Sequence, residues 1–163
     1  MDDKPASRLP LALTIAVIVI VADQATKLWA DRALADRADP VPLIGDFIQL
    51  RLIRNAGAAF SIGEGSTWIF TVVTAAAAAW LLWYVTKPQP MWRLVGCALM
   101  LGGALTHLGD RLFRAPGFGR GHVVDFIDYN GWFVGNVADI ALVCGAAWLV
   151  ILSLVKPEVK ATG

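Results

Sequence analysis

Long apolar runs separated by short polar segments dominate the chain. Four of them reach the roughly 20 residues that a helix needs to cross the hydrocarbon core of a bilayer. They cover about residues 9–30, 67–86, 91–113 and 132–155. Tryptophans lie near the ends of these runs, as interfacial anchors do: Trp29, Trp68, Trp83, Trp92 and Trp132. The pattern predicts an all-α membrane protein whose four transmembrane helices form a single domain over residues 1–163.

The longest polar connection, residues 31–65, is predicted to form a small β-sheet that rests on the membrane surface. Ile48–Leu52 alternates apolar and polar residues, which is typical of a half-buried strand. Residues 55–60 are expected to follow as a second short strand, and Ser66 to cap the second helix. The glycine-containing segment 114–131 is predicted to be an irregular loop on the same side of the membrane.

Composition and charge agree with a membrane protein. The chain is 57% hydrophobic with a mean hydropathy of +0.60, above the apolar share of about 45–50% in globular proteins. Its net charge of +1 offers no basic surface for nucleic acid. Cys97 and Cys144 lie in apolar runs and are expected to pack there rather than form a disulfide or a metal site. The first run lacks a small-x-small cleavage site and is predicted to remain as a span.

The polar residues of the apolar runs converge on one level of the predicted bundle. Because successive spans alternate in direction, the ends of the first and third spans meet the start of the fourth. An embedded charge costs several kcal/mol unless it is paired or hydrated, so such residues usually mark a functional interior. This level contains Asp23, Lys27, Arg54, Asn55, Asp110, Arg111, Asp125 and Asp139.

Several of these residues also have a purely structural interpretation. Asp23 and Lys27 are four residues apart on one helix and could neutralise each other. Asp110 and Arg111 could form a solvated pair at a helix end. Asp128 precedes a Tyr-Asn-Gly sequence and is expected to be an exposed turn carboxylate.

Asp139 is the embedded residue that most needs a partner from elsewhere in the chain. It has no basic residue within a turn of its own helix, and Asp125 is the natural candidate. Two carboxyl groups in a water-limited pocket share one proton, so one stays ionised and the other protonated. Such a pair can activate a water molecule and protonate a leaving amine. The residues therefore predict aspartic-peptidase chemistry that needs neither cofactor nor metal.

Three other functions use the same residues. A proton or ion transporter would use a carboxylate relay: Asp23, Asp110, Asp125 and Asp139. Its weakness is that no embedded charge continues the path towards the other membrane face. A divalent-metal hydrolase would combine the carboxylates with His107 and His122, although their spacing matches no recognised metal signature. A non-catalytic assembly protein would tolerate loss of the two central carboxylates.

Five segments of the chain resemble those of the bacterial lipoprotein signal peptidases, the type II signal peptidases. They occur in order between about residues 10 and 155: Asp23–Lys27 (DQATK), Asn55–Ser61 (NAGAAFS), Gly102–Arg111 (GGALTHLGDR), Gly121–Phe126 (GHVVDF) and Asn136–Asp139 (NVAD). The resemblance implies an aspartic endopeptidase that cuts prolipoproteins just before a diacylglyceryl-modified cysteine. It also implies an extracytoplasmic sheet and active site at the bacterial inner membrane, cytoplasmic termini, and inhibition by globomycin-type peptides.

The same resemblance assigns Asp125 and Asp139 as the catalytic pair. It assigns a supporting or substrate-binding role to Asp23, Lys27, Asn55, Gly57, His107, Asp110, Arg111 and Asn136. Three positions depart from the family pattern: His107 replaces an asparagine, Gly135 a phenylalanine, and Ile140 a small polar residue. His107 keeps a hydrogen-bonding group, but its charge near pH 7 becomes an open variable. A strand such as Ile48–Leu52 is expected to bind the substrate peptide by edge addition.

Overall fold

A computed structural model of the chain describes residues 8–57 and 67–155. Within these residues it contains four helices and four strands. The helices are α1 (Leu9–Ala33), α2 (Thr67–Val85), α3 (Met91–Phe113) and α4 (Val137–Val155). The strands are β1 (Val41–Ile44), β2 (Ile48–Asn55), β3 (Val123–Asp128) and β4 (Val134–Gly135). Ser66 and residues 58–60 of the predicted second strand lie outside the described residues.

The predicted spans coincide with helices that are long and apolar enough to cross a membrane. The bounds of α3 match the prediction, whereas α1 continues to Ala33 and α2 ends at Val85. The predicted start of the fourth span at residue 132 is wrong, because α4 begins only at Val137. Asn136 supplies the N-cap there, since its side-chain oxygen accepts the backbone N–H of Asp139 at 3.2 Å. The apolar residues before it belong to a turn and to β4.

Helix α3 lies at the centre of the bundle and packs against the other three described helices. Half of the most apolar stretch of α3 is buried, against 17–22% of the corresponding stretches of α1, α2 and α4. The outward faces of those three helices therefore suit lipid. A Cβ added at Gly102 would lie 2.7 Å from Cβ of Val19, and one added at Gly103 would lie 2.7 Å from Cγ of Leu142. The two glycines thus allow α1 and α4 to approach α3 closely.

The strands form one antiparallel sheet in the order β1-β2-β3-β4. Strand β3 corrects the prediction of an irregular loop over residues 114–131. It was missed because almost every residue of Val123–Asp128 is buried, so its sequence lacks the alternation of a half-buried strand. Phe126 packs in a small core with Ala30 and Leu34 at the end of α1. The sheet thereby brings Asp125 against the helical bundle.

Two expectations about the sheet are wrong. The proposed substrate-binding edge at Ile48–Leu52 is occupied over Ile48–Leu50, because β1 pairs there while β3 pairs along the other side of β2. Asp128 is buried rather than exposed. Its carboxylate lies 3.1 Å from Nη2 of Arg51 on the neighbouring strand and accepts the backbone N–H of Gly131 at 2.7 Å. Asp128 therefore closes the β3–β4 turn from inside.

Candidate active site

A cavity of about 230 Å³, here called the dyad pocket, lies where β2, β3, α2 and α3 meet the start of α4. It brings together six of the residues predicted for the site. Its lining is Asn55, Gly57, Phe70, Thr74, His107, Arg111, Val123, Asp125, Phe133 and Asp139. Asp125 reaches it from β3, and Asp139 is the third residue of α4.

Asn136 connects the two carboxyl groups. Its Nδ2 donates to Oδ1 of Asp125 at 2.6 Å, and its backbone N–H donates to Oδ2 of Asp139 at 2.9 Å. Because its own side-chain oxygen accepts the backbone N–H of Asp139, Asn136 and Asp139 form a reciprocal capping arrangement at the start of α4. The three-residue spacing of the NVAD segment therefore has a local structural cause. It also places a carboxylate at a helix N-terminus, where negative charge is favoured.

Asn55 and Gly57 form the opposite wall of the pocket. Nδ2 of Asn55 donates to Oδ2 of Asp125 at 2.9 Å, and its Oδ1 accepts the backbone N–H of Gly57 at 2.7 Å. Gly57 has a φ of +102°, and a Cβ there would lie 2.6 Å from the ring of Phe70. Only glycine fits both the backbone conformation and this close approach. The asparagine is consequently held with its amide towards Asp125.

Arg111 is buried at 6% exposure, so the interpretation of a solvated pair with Asp110 is wrong. Its Nη1 donates to the backbone oxygens of Asn55 at 2.9 Å and Gly121 at 3.0 Å. Arg111 thus ties the end of β2 to the segment that leads into β3. It fixes the two chain segments that present Asn55 and Asp125 to each other.

Burial raises the pKa of Asp125, which is 3% exposed. The negative charge of Asp139 acts in the same direction, while the hydrogen bonds from Asn55 and Asn136 and the nearby imidazole of His107 partly oppose the shift. The side chain of Asp139 is more accessible, at 26% exposure, and its Oδ1 lies 3.1 Å from Nε2 of His107. The two carboxyl groups therefore occupy different environments within one pocket.

Asp23, Lys27, Asp110 and Arg114 form a second cluster, here called the ionic cluster, between α1 and the end of α3. Nζ of Lys27 lies 2.6 Å from Oδ2 of Asp23 and 2.7 Å from Oδ2 of Asp110. Nε of Arg114 donates to Oδ1 of Asp110 at 2.7 Å. The predicted neutralisation of Asp23 by Lys27 is confirmed, and Asp110 joins it.

The ionic cluster does not line the dyad pocket, but it holds the helix that carries Asp139. Oδ1 of Asp23 accepts the backbone N–H of Ala138 at 2.9 Å, one residue before Asp139. Thr106 Oγ1 donates to Oδ2 of the same Asp23 at 2.6 Å. The supporting role expected for these residues is therefore structural, and it acts through the first turn of α4.

Comparison with known proteins decides the family. A family model described as Signal peptidase (SPase) II matches residues 15–155. The lipoprotein signal peptidase of Mycobacterium avium is 44% identical over 94% of this chain and 84% of that protein. The one from Rhodococcus jostii is 42% identical over 99% of this chain and 86% of that protein.

The chain belongs to the signal peptidase II family. Two solved structures described as bacterial membrane enzymes agree with its fold, each with a TM-score of 0.77. The first is 28% identical and covers 94% of this chain and 93% of its own, and the second is 29% identical and covers 91% and 95%. The sequence resemblance and the predicted fold class are confirmed, and the chain is a multi-pass membrane peptidase.

Sequence reasoning missed several residues that line the signal peptidase pocket, of which Phe133 is the most informative. A Cβ at Gly135 would lie 2.5 Å from Cε1 of Phe133 and 2.9 Å from Oδ2 of Asp139. The departure at Gly135 thus makes room for the ring of Phe133 beside the carboxylate. The missing side chain at position 135 was a signal that another group fills this space. Phe70, Thr74 and Val123 gave no such signal, because their placement depends on tertiary packing.

The third departure, Ile140, lines an adjoining apolar cavity of about 370 Å³. Tyr129, Phe133, Asp139, Val143 and Cys144 form the rest of that cavity. Cys144 is exposed, whereas Cys97 is buried in the helical core as expected.

The residues of the transporter hypothesis and of the metal-hydrolase hypothesis lie in separate places. Asp23 and Asp110 of the proposed relay are bound by Lys27 in the ionic cluster rather than continuing from the dyad. For the metal hypothesis, His107 contacts Asp139 while Asp110 contacts Lys27 and Arg114. Neither set is assembled into one site within residues 8–57 and 67–155.

Proposed function

We propose that this chain is a lipoprotein signal peptidase that removes signal peptides from prolipoproteins through an Asp125–Asp139 dyad. The cut falls immediately before a cysteine that carries diacylglycerol. The substrate class is supported by the names of the relatives. The observation that carries the mechanism is the pair of hydrogen bonds by which Asn136 holds both carboxyl groups at one cavity.

The reaction follows from one shared proton. The ionised carboxylate takes a proton from a water molecule whose oxygen attacks the scissile carbonyl carbon, and the protonated carboxyl donates its proton to the carbonyl oxygen. In the resulting tetrahedral intermediate the C–N bond breaks. The leaving amine takes a proton from the carboxyl that received one from water, and the carbonyl re-forms by returning its proton to the other. The dyad ends with a single proton, as it began.

The position of the dyad suits a lipid-anchored substrate. Asp139 lies in the first turn of α4 and His107 two turns from the end of α3, so the pocket opens near one membrane boundary. The acyl chains can then stay in the bilayer while the peptide enters the pocket. Cytoplasmic termini and an extracytoplasmic site at the bacterial inner membrane complete the proposed arrangement. A globomycin-type peptide is expected to inhibit by occupying the same pocket.

The test is cleavage of a diacylglyceryl-modified prolipoprotein by the purified enzyme in lipid. Asp125→Asn and Asp139→Asn should each lower kcat by about 10²–10⁴-fold or more, because each removes one proton-transfer group. Asp46→Asn, at an exposed position between β1 and β2, is the matched control and should keep full activity. Precursor without the lipid should be cut poorly by the wild type.

Controls separate the dyad from the other hypotheses. Both asparagine variants should still fold, as shown by a helical circular dichroism spectrum and a measurable unfolding midpoint. Activity should persist in EDTA, whereas a chelator-sensitive reaction would favour the metal hydrolase. Near wild-type turnover by either variant would rule out the dyad.

A further inference from the structure

His107 contacts a carboxyl group of the proposed dyad. Its Nε2 lies 3.1 Å from Oδ1 of Asp139, and the two side chains are 16% and 26% exposed. The residue lies on α3, the helix at the centre of the bundle, so its ring is presented to the pocket by a rigid element. An asparagine at this position would offer only a neutral amide.

The two carboxyl groups of the dyad have different hydrogen-bond partners. Both oxygens of Asp125 accept from neutral amides, one from Asn55 and one from Asn136. Asp139 accepts a backbone N–H at Oδ2, and its Oδ1 lies 3.1 Å from Nε2 of His107. Among the described contacts of the two carboxyl groups, only His107 on Asp139 is a donor that can itself carry a positive charge.

Other charged groups lie near His107, but none of those described contacts Asp139. Arg111 lies one turn further along α3; its guanidinium donates to two backbone oxygens, and its positive charge also acts on Asp125. Asp110, three residues after His107 on α3, is neutralised by Lys27 and Arg114. Lys27 is in turn paired with Asp23 of α1. From α2 the pocket receives only the uncharged Phe70 and Thr74, and from β3 it receives Asp125.

We infer that His107 is a positioning residue that holds the negative charge of the dyad on Asp139 and leaves its proton on Asp125. Asp139 is then the base that takes the proton of the attacking water. Asp125, buried and held by two amides, is the acid that protonates the carbonyl oxygen. The inference rests on the proposed peptidase function and assigns which aspartate of the dyad is the base and which is the acid.

A pH dependence follows from this arrangement. In the acidic range where a carboxylate dyad takes up its second proton, an imidazole is cationic, whereas an asparagine is neutral. The cation opposes protonation of Asp139, so the wild type should stay active to lower pH than a variant with asparagine.

The first test compares pH profiles of kcat/KM for cleavage of a diacylglyceryl-modified prolipoprotein. His107→Asn and His107→Gln should move the acidic limb to higher pH, so that each variant loses activity at pH values where the wild type still cleaves. His122→Asn removes the other histidine of the chain and should leave the profile unchanged. Superimposable profiles for wild type and His107→Asn would overturn the inference, while wild-type cleavage would leave the proposed function intact.

A second test does not depend on cleavage. In His122→Asn protein with a histidine-free affinity tag, His107 is the only histidine, so a carbon-13 label in the imidazole gives one NMR signal. The imidazolium form should persist to higher pH when residue 139 is aspartate than when it is asparagine. Coincident titrations with and without Asp139→Asn would refute the ion pair.

Discussion

The ionic cluster and the dyad pocket place two aspartates each at the same level of the bundle, yet their partners differ. In the ionic cluster every described carboxylate contacts a lysine or an arginine. In the dyad pocket Asp125 contacts amides, and Asp139 contacts a backbone N–H and a histidine. Lysine and arginine side chains neutralise the first pair, whereas no lysine or arginine is among the described contacts of the second. The partner therefore distinguishes the structural carboxylates from the proposed catalytic ones.

The two regions are also mechanically connected. Oδ2 of Asp23 contacts Nζ of Lys27 and accepts a hydrogen bond from Oγ1 of Thr106, while Oδ1 accepts the backbone N–H of Ala138. Asp139 follows in the same helical turn. The charged cluster thus sets the position of the reactive carboxylate without contacting it, and damage to the cluster should affect both folding and catalysis.

The largest expected effect is on folding and comes from Lys27→Met. This substitution leaves Asp23 and Asp110 buried without their shared cation, and removing one partner of a buried ion pair costs about 3–5 kcal/mol. The free energy of unfolding, measured from tryptophan fluorescence in detergent, should fall by this amount. Asp125→Asn, measured in the same way near neutral pH, should cost much less.

Lys87→Met is the matched control, because Lys87 is exposed and lies over the ring of Trp83. It should lower the free energy of unfolding by no more than about 1 kcal/mol, the range of an exposed cation–π contact. If Lys27→Met lowered the free energy of unfolding no more than Lys87→Met, the ionic cluster would not be the region that stabilises the fold.

The next largest effect is on catalysis and comes from Asn136→Ala. The variant loses both the bridge to Asp125 and the cap of α4. Misplacement of reacting groups by about 1 Å can cost about 10²-fold in rate, and loss of an N-cap costs about 0.5–2 kcal/mol in stability. Asn136→Ser should restore the cap but not the bridge. Recovery of stability without recovery of kcat would assign the catalytic loss to the bridge, and parallel recovery would contradict it.

The sequence predicts the bundle well because lipid imposes a strong and simple pattern. Apolar runs of about 20 residues gave the helices, and the spacing of Asp23 and Lys27 gave their ion pair. The start of α4 was placed too early because apolar side chains continue through the turn and β4 before the cap at Asn136. Strand β3 was missed because burial on both faces removes the alternation by which strands are recognised.

The site was predictable in its residue types but not in its division into two regions. Helix direction alone places Asp110 and Asp139 at one level. Only tertiary packing directs Asp110 towards Lys27 and Asp139 towards His107. Arg111 looked like a partner for Asp110, whereas its guanidinium binds the backbone oxygens of Asn55 and Gly121. Backbone acceptors of this kind carry no signature in a single sequence.

The third effect is a pH dependence of stability that belongs to Asp125. Its folded pKa is raised above the ordinary 3.8 by burial, so the folded state holds this proton more tightly than the unfolded state. The contribution of Asp125 to the free energy of unfolding is therefore greatest below pH 3.8 and falls as the pH rises through the raised value. Asp125→Asn should remove this decline, so the stability of the variant relative to wild type should rise with pH. Asp46→Asn, at its exposed site, should leave the decline in place, and a decline of equal size in Asp125→Asn would contradict the assignment.

The smallest effect tests where the ionic cluster ends. Arg54 Nη2 lies 2.9 Å from Oδ1 of Asp31, but the two side chains are 57% and 20% exposed, and Asp31 keeps a second cation in Arg114 at 3.2 Å. Water already solvates such a pair, so Arg54→Gln should lower the free energy of unfolding by less than about 1 kcal/mol. The difference should shrink further in high salt, and cleavage should be unchanged. A loss as large as that of Lys27→Met would mean that the exposed Arg54–Asp31 pair stabilises the fold as much as the buried ion pairs do. Burial would then not explain why the ionic cluster and the dyad pocket differ.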